Sequence, residues 1–198
     1  MRVKIRLAAE KDAPQILEIY SPIVRLSHIS FEHDVPDVSK IAERIVNTLR
    51  QYPWLVCEID ARIAGYAYAG AFRSREAYQW TTETTVYVHE DYQRRGVSRA
   101  LYASLLAILR EQGYRSAVGV IALPNPASIR AHETLGFREI GIFRNVGFKA
   151  GSWRDTGWWQ LDLSPARQRP SPPQTITDLM EQDGFDVLLQ TGMPCIRT

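Results

Sequence analysis

Residues 93–98, QRRGVS, place two guanidinium groups, a glycine and a small hydroxyl residue directly before a long amphipathic stretch. A helix opening there presents free backbone amides and a partial positive charge at its mouth, and Gly96 lets the backbone approach an oxyanion more closely than a residue with a side chain would. The chemistry on offer is recognition of a phosphate or pyrophosphate. Taken alone, such a turn is as often an exposed basic bend; its place between a strand and a helix favours the anion site. Asn125-Pro126 is a second helix mouth, because asparagine accepts from free amides and proline is tolerated in the first turn.

The elements that must hold these two mouths follow from periodicity. Thr82 to Val88 is rich in β-branched and aromatic residues, which suits a strand. From Ser98, apolar residues at Leu101, Leu105, Leu106, Ile108 and Leu109 predict a helix, with Gly113 where a left-handed cap would fall. SAVGVIAL from Ser116 reads as a buried strand, and Gly136 ends the helix that Asn125 begins. Upstream, Val3, Ile5 and Leu7 alternate with Arg2, Lys4 and Arg6, the period of a strand with one wet face. Ala9 to Tyr20 has helical spacing, with its end expected at Ser21-Pro22, and Ser39 to Arg50 is a second such stretch. The irregular LSHISFEHDVPD between them suits a pocket wall. Trp54 to Ile59 and IAGYAYAGAF are predicted to pair as a hairpin about Asp60-Ala61-Arg62. Phe137 to Phe148 and Thr156 to Leu163 are predicted as the last strands, with KAGSWRDTG as the turn between them. The order is α+β in character, with one central mixed sheet.

With 198 residues, 45% hydrophobic and 23% charged, the chain suits one globular core, expected over residues 1–163, and a Pro-rich tail over 164–198. That tail opens with SPARQRPSPPQ, a linker or surface strap, and one short helical turn is expected around Asp178 to Gln182. A formal charge of +2 argues against general nucleic-acid binding. Cys57 and Cys195 lie far apart without paired metal-ligand spacing, which suggests no metal and a reduced, cytoplasmic protein. MRVKIRLAAEKDA lacks the apolar core of a secretory signal, and no stretch approaches the ~20 apolar residues that cross a bilayer, so no membrane partner is expected.

QRRGVS resembles the (Gln/Arg)-x-x-Gly-x-(Gly/Ala) signature of the GNAT superfamily of N-acetyltransferases, and NPASIRAHETLGF at 125–137 is similar to their Asn-x-x-(Ala/Ser) helix ending in Gly-Phe. YPWLV, AGYAYAG, AYQWTTETTVYV and GFKAGSWRDTGWWQLD resemble the phosphinothricin N-acetyltransferases within it, so that the likeness covers residues 2–165. The resemblance implies a GNAT fold, a mixed, mostly antiparallel sheet of about seven strands flanked by about four helices. It implies acetyl-CoA as co-substrate, with pyrophosphate over the amides of Arg94, Arg95, Gly96, Val97, Ser98 and Arg99. Pantetheine would run beside Val86, Tyr87 and Val88 like an added strand, and Asn125 and Ser128 would complete the coenzyme half. Ser98 departs from the signature, but it is small and its hydroxyl could cap the helix.

By the same resemblance Glu83 is the general base, acting through water, which requires that burial raise its pKa towards that of an ammonium group. His132 is the general acid or a residue ordering the thioester; its place near the end of a helix favours imidazolium. An amide among Val86 to Val88 would hold the oxyanion. Arg73 and Arg75 occupy the two basic positions of a related acceptor segment and would bind a phosphinate, sulfoximine or carboxylate. Phe31, Glu32, Tyr78 and Trp153 complete the expected pocket, with Glu32 reading the substrate ammonium. The reading is direct acetyl transfer to the α-amine of a small amino-acid-like molecule. The alternatives are a peptide or polyamine acetyltransferase on the same fold and a catalytically silent acyl-CoA sensor. Relatives of this kind commonly pair as homodimers, so the resemblance implies a homodimer.

Overall fold

The computed structural model describes residues 2–165 and 169–197; the middle of the Pro-rich stretch lies outside the described residues. Seven strands form one sheet: β1 (Val3–Leu7), β2 (Trp54–Ile59), β3 (Arg62–Ala71), β4 (Thr81–Val88), β5 (Ser116–Ala122), β6 (Arg138–Lys149) and β7 (Ser152–Asp162), in the order β1-β2-β3-β4-β5-β7-β6. Every neighbouring pair is antiparallel except β4 and β5.

Helices α1 (Ala13–Leu26) and α2 (Val38–Thr48) cover one face. Their buried residues Ile16, Ile19, Tyr20, Ile41 and Ile45 pack with Trp54, Val56, Ile63 and Tyr66 of the sheet. Helices α3 (Val97–Glu111) and α4 (Pro126–Thr134) lie on the other, where Leu101, Leu105, Ile108 and Leu109 join Leu55, Cys57, Ala67 and Trp159 in the larger core. Each face is thus a helix stripe buried against alternate strand positions, the arrangement expected of an α+β sheet.

One pairing opens the sheet. Of β4, only Thr81, Thr82 and Glu83 pair with β5, at Ser116, Ala117 and Val118. Beyond Glu83 the two parallel strands diverge, while the other edge of β4 stays paired with β3 through Val88. His89 N donates to Ala64 O at 2.9 Å, which fixes the antiparallel alternation. Tyr87 and Thr85 therefore turn their main-chain groups towards β3, and Thr84, Val86 and Val88 turn theirs into the opening.

Two sequence expectations are corrected. Helix α1 does not end at Pro22 but runs to Leu26. Proline there lacks an N–H, but Ser21 and Ser27 hydroxyls bond to Leu17 O and Ile23 O, and buried Val24 anchors the last turn. KAGSWRDTG is not a long turn: only Ala150 and Gly151 form it, with φ of 51° and 74°, the left-handed pair of a tight hairpin, and β7 starts at Ser152. The polar residues that resembled a loop are the ends of two long paired strands.

The chain after the Pro-rich stretch returns to the body. Gln174 N donates to Gln112 O and Ile176 N to Gln51 O. Helix α5 (Ile176–Met180) stands near the turn expected at Asp178, capped by Thr175, and α6 (Phe185–Gln190) follows it. Ile176, Leu179, Phe185 and Leu189 are buried in the α3-side core. We call residues 174–197 the strap.

Candidate active site

The fork between β4 and β5 is the centre of the site. Glu83 is the last residue of β4 paired with β5, and by strand alternation its side chain shares the α1–α2 face with Tyr87, whose ring meets Tyr20 and Tyr66 at 5.4 and 5.5 Å. Burial raises the pKa of Glu83, and the charge of Arg73 opposes that rise. A carboxylate made more basic by desolvation is the property that proton abstraction needs.

His132 lies across the sheet on the α3 side and is only 4% exposed. Its Nδ1 is 2.8 Å from Ser128 O, so Nδ1 carries the hydrogen; Nε2 is 2.9 Å from the hydroxyl of Tyr102. Tyr102 is itself fully buried and stands 3.4 Å from Thr84 Oγ1, beside the point where the strands part. Burial lowers the pKa of His132, against a smaller opposing effect of its bond to Ser128. The expectation of imidazolium therefore fails: in a nine-residue helix, the favourable end charge is weaker than the cost of burying a cation. Sequence reasoning missed Tyr102 because it sits among the apolar residues of LYASLL, a stretch that reads as core.

The α3 mouth has the features of an anion site. Gly96 is the helix N-cap with φ 80°, and Arg94 is also left-handed with φ 62°. No side chain caps this end, so Ser98 lies within the first turn and does not cap it. The first-turn amides are left for a ligand. Arg94, Arg95 and Arg99 are exposed, and among the described residues none is paired with a carboxylate. Val97 is buried against the core and anchors the mouth from below. At α4, Asn125 Oδ1 accepts from Ser128 N at 3.1 Å, as a cap should.

The residues expected on the acceptor side divide into two groups. Arg73 lies over the rings of Phe72 and Trp158, at 4.9 and 5.5 Å, and Tyr78 meets Phe72 edge-on at 5.6 Å. Arg75 is exposed beside them, at the start of a short 3-10 turn, Glu76–Tyr78. The second group comes from the α1–α2 connection. Glu32 bonds to Arg44 at 2.7 Å, and Lys149 Nζ donates to Glu32 O. Phe31 packs on Gly147, where a Cβ would come within 2.2 Å of its ring. Trp153 touches this group only at its rim, edge-on to Phe148 at 5.6 Å, and is 62% exposed. Arg44 and Lys149 were not foreseen: one is a polar position on a helix, and the other stood in a presumed turn.

A cavity of about 570 Å³ lies elsewhere, between Trp80, Arg110 and Gln112 and the Pro-rich segment, and is not this site. Among the described residues, no group of three or more His, Cys, Asp or Glu is placed to hold a metal ion.

A sheet forked beside a half-buried carboxylate, with an uncapped basic helix mouth following the same strand, is the arrangement of a candidate transferase site, and comparison with known proteins gives the class. Residues 5–158 match the acetyltransferase (GNAT) domain family, and the chain belongs to that family; it is an N-acetyltransferase. It is 40% identical to the phosphinothricin N-acetyltransferase of Streptomyces viridochromogenes, over 87% of this chain and 95% of that one. It is 35% identical to the L-methionine sulfoximine/L-methionine sulfone acetyltransferase of Salmonella typhimurium, over 80% and 94% respectively. Among solved structures, a GNAT superfamily phosphinothricin acetyltransferase from Sinorhizobium meliloti, crystallised in complex with AcCoA, superposes with a TM-score of 0.81. It is 30% identical, with 89% of this chain and 99% of that chain covered.

Proposed function

We propose that the protein transfers the acetyl group of acetyl-CoA to the α-amine of a small amino-acid-like acceptor, of the kind named for its relatives: phosphinothricin or methionine sulfoximine. The observation that carries this reading is the fork, with Glu83 at its foot and the free main-chain edge of Thr84, Val86 and Val88 beyond.

That edge and the α3 mouth fit the coenzyme. An extended pantetheine arm finds unpaired strand groups at Val86 and Val88, with Tyr87 between them turned to β3. A pyrophosphate finds the amides from Arg94 to Arg99 and cations that have no carboxylate partner among the described residues, and Asn125 and Ser128 frame the other wall. When bound, the coenzyme supplies an activated acetyl group as a thioester.

The chain's own residues do the rest. Glu83, made more basic by burial, takes a proton from the acceptor's ammonium through water, leaving the amine lone pair free. A Val86 or Val88 amide would hold the carbonyl oxygen as the amine attacks; the carbon–sulfur bond breaks as the new nitrogen–carbon bond forms, and the second proton of the amine ends on the departing thiolate sulfur. His132, neutral and held at both nitrogens, serves with Tyr102 to order the thioester rather than as a general acid. Arg73 and Arg75 bind the acceptor's acid group, with Tyr78 beside them. Phe31, Glu32 and Trp153 close the opposite side, where Glu32 reads the ammonium while Arg44 holds its carboxylate in place.

A homodimer fits this reading. On the edge strand β6 and the start of β7, Ile140, Phe143, Val146, Phe148 and Trp153 are each more than half exposed, an apolar edge that a second copy would cover. Light scattering on the gel-filtered protein at micromolar concentration is expected to give twice the chain mass, and a monomer would remove the dimer. The thiols of Cys57 and Cys195 are both free, which suits a reducing, cytoplasmic setting.

The test of function is coenzyme thiol release against a panel of methionine sulfoximine, phosphinothricin, a polyamine and a peptide with a free N-terminus, with products identified by mass. Release with the first two and an N-acetylated product is expected. Release only with the polyamine or the peptide would refute the substrate class.

A further inference from the structure

The strap does more than fill the α3-side core: it follows α3 back from its last turn to its first and ends on the coenzyme turn. Fully buried Ser104 donates to Leu189 O at 2.6 Å and accepts from Gly192 N at 3.0 Å. Gly192 then presses on the helix backbone, where a Cβ at this position would stand 1.8 Å from Ala100 O. A 3-10 turn, Met193–Cys195, carries the chain to the α3 mouth, and Met193, Cys195 and Ile196 pack against the core. There Cys195 O occupies the place a Cβ on Gly96 would take, 1.9 Å from it, and Arg197 N donates to Arg95 O at 2.9 Å.

Such a segment could plug the anion site or brace it from behind, and peptide geometry decides between these. In a planar trans peptide the C=O and N–H point in opposite directions. The Arg95–Gly96 peptide gives its carbonyl to the strap, so its Gly96 N–H faces the other way. Among the described residues, no main-chain N–H from Arg94 to Arg99 donates to the strap. Among the described residues the strap therefore lies on the carbonyl side of this peptide, away from the Gly96 N–H.

We infer that residues 192–197 are a splint for the coenzyme turn: docked behind Arg95-Gly96, they hold it in the shape that receives pyrophosphate, so that strap docking and acetyl-CoA binding reinforce each other. The inference rests on the acetyl-CoA reading above. The turn needs such support, because it contains two left-handed residues, one of them Arg94, for which that conformation is uncommon. Gly96 meets two demands at once: its φ of 80° and the absence of a Cβ where Cys195 O lies. By linkage, whatever factor the docked strap adds to coenzyme affinity, the coenzyme returns to strap docking.

The experiment measures acetyl-CoA affinity by calorimetry on full-length wild type, Gly192→Ala and Ser104→Ala. Gly192→Ala forces the strap off Ala100 O without touching the coenzyme cleft, and Ser104→Ala removes the two bonds without adding bulk. Each is expected to raise the Kd about tenfold, with kcat at saturating coenzyme changed by less than about twofold. A measurement on wild type alone accompanies these: iodoacetamide alkylation of Cys195 is expected to slow when acetyl-CoA is added, while buried Cys57 stays silent. Unchanged Kd in both variants, a lower Kd in either, or alkylation indifferent to acetyl-CoA would overturn the splint. Failure of wild type to bind acetyl-CoA at all would instead overturn the coenzyme reading, and the splint with it.

Discussion

The hydroxyl of Tyr102 stands 2.9 Å from Nε2 of His132, and both side chains are buried. With Nδ1–H given to Ser128 O, the imidazole has one lone pair left, and the phenol has one proton to give it. The pair lies at the foot of the cleft between β4 and β5, through Thr84 on one strand and Gly119 on the other; a Cβ at Gly119 would come within 2.6 Å of His132 Nε2.

Tyr102→Phe keeps the ring and removes only the proton donor. It is expected to lower stability by about 1–3 kcal/mol, the cost of leaving a buried acceptor unpaired. Urea unfolding reads this as a lower midpoint at unchanged m-value, and a loss within error of zero would mean that the contact contributes nothing.

His132 carries a pH prediction. Its pKa in the fold lies below its ordinary value of 6.5, so between the two values the unfolded chain binds a proton that the folded chain does not. The stability this gives is fully present above 6.5 and is lost as pH falls through the folded value. Nitrogen-15 shifts of the ring are expected to report the Nδ1–H tautomer at neutral pH and a titration below 6.5. A titration above that value would contradict the neutral imidazole.

Arg73 and Arg75 should separate by their neighbours. Losing either guanidinium to alanine is expected to raise the KM for methionine sulfoximine about tenfold or more, as for a lost charge-assisted hydrogen bond, with the KM for acetyl-CoA unchanged. Only Arg73→Ala should also move the pH–rate profile to higher pH, because the charge of Arg73 holds the Glu83 pKa down. Equal profiles for the two variants would remove that coupling.

Glu83 should cost stability for the sake of chemistry. Burial raises its pKa, so the unfolded chain ionises first as pH rises, and stability falls across the window from the ordinary carboxylate value to the folded one. Glu83→Gln is therefore expected to melt at a higher temperature than wild type at neutral pH, and the gain should vanish in acid below the ordinary value. A lower melting temperature at neutral pH would contradict the assignment.

Local chemistry made part of this legible in the sequence. The amphipathic spacing from Leu101 to Leu109, the Asn125-Pro126 helix start and the Asp60-Ala61 hairpin tip all depend on short-range rules, and they stand where those rules put them. Long-range relationships were not legible. Nothing near Pro22 announces that Val24 will be buried, and nothing in LYASLL tells that Tyr102 meets a histidine thirty residues on. Arg44 as partner to Glu32, and Ser104 as the clamp on Gly192, depend on which surfaces the sheet brings together. The spacing of Ile176, Leu179, Phe185 and Leu189 could have flagged the strap as core-forming, but the prolines before it dominated the composition.

The most direct test of the account is single-turnover acetylation of methionine sulfoximine by wild type and Glu83→Gln, from about pH 6 to pH 9. The wild-type rate is expected to rise with pH, and the mutant rate to be lower by about a hundredfold or more and to have lost the corresponding ionisation. A Glu83→Gln enzyme with the wild-type rate and the wild-type pH profile would contradict it.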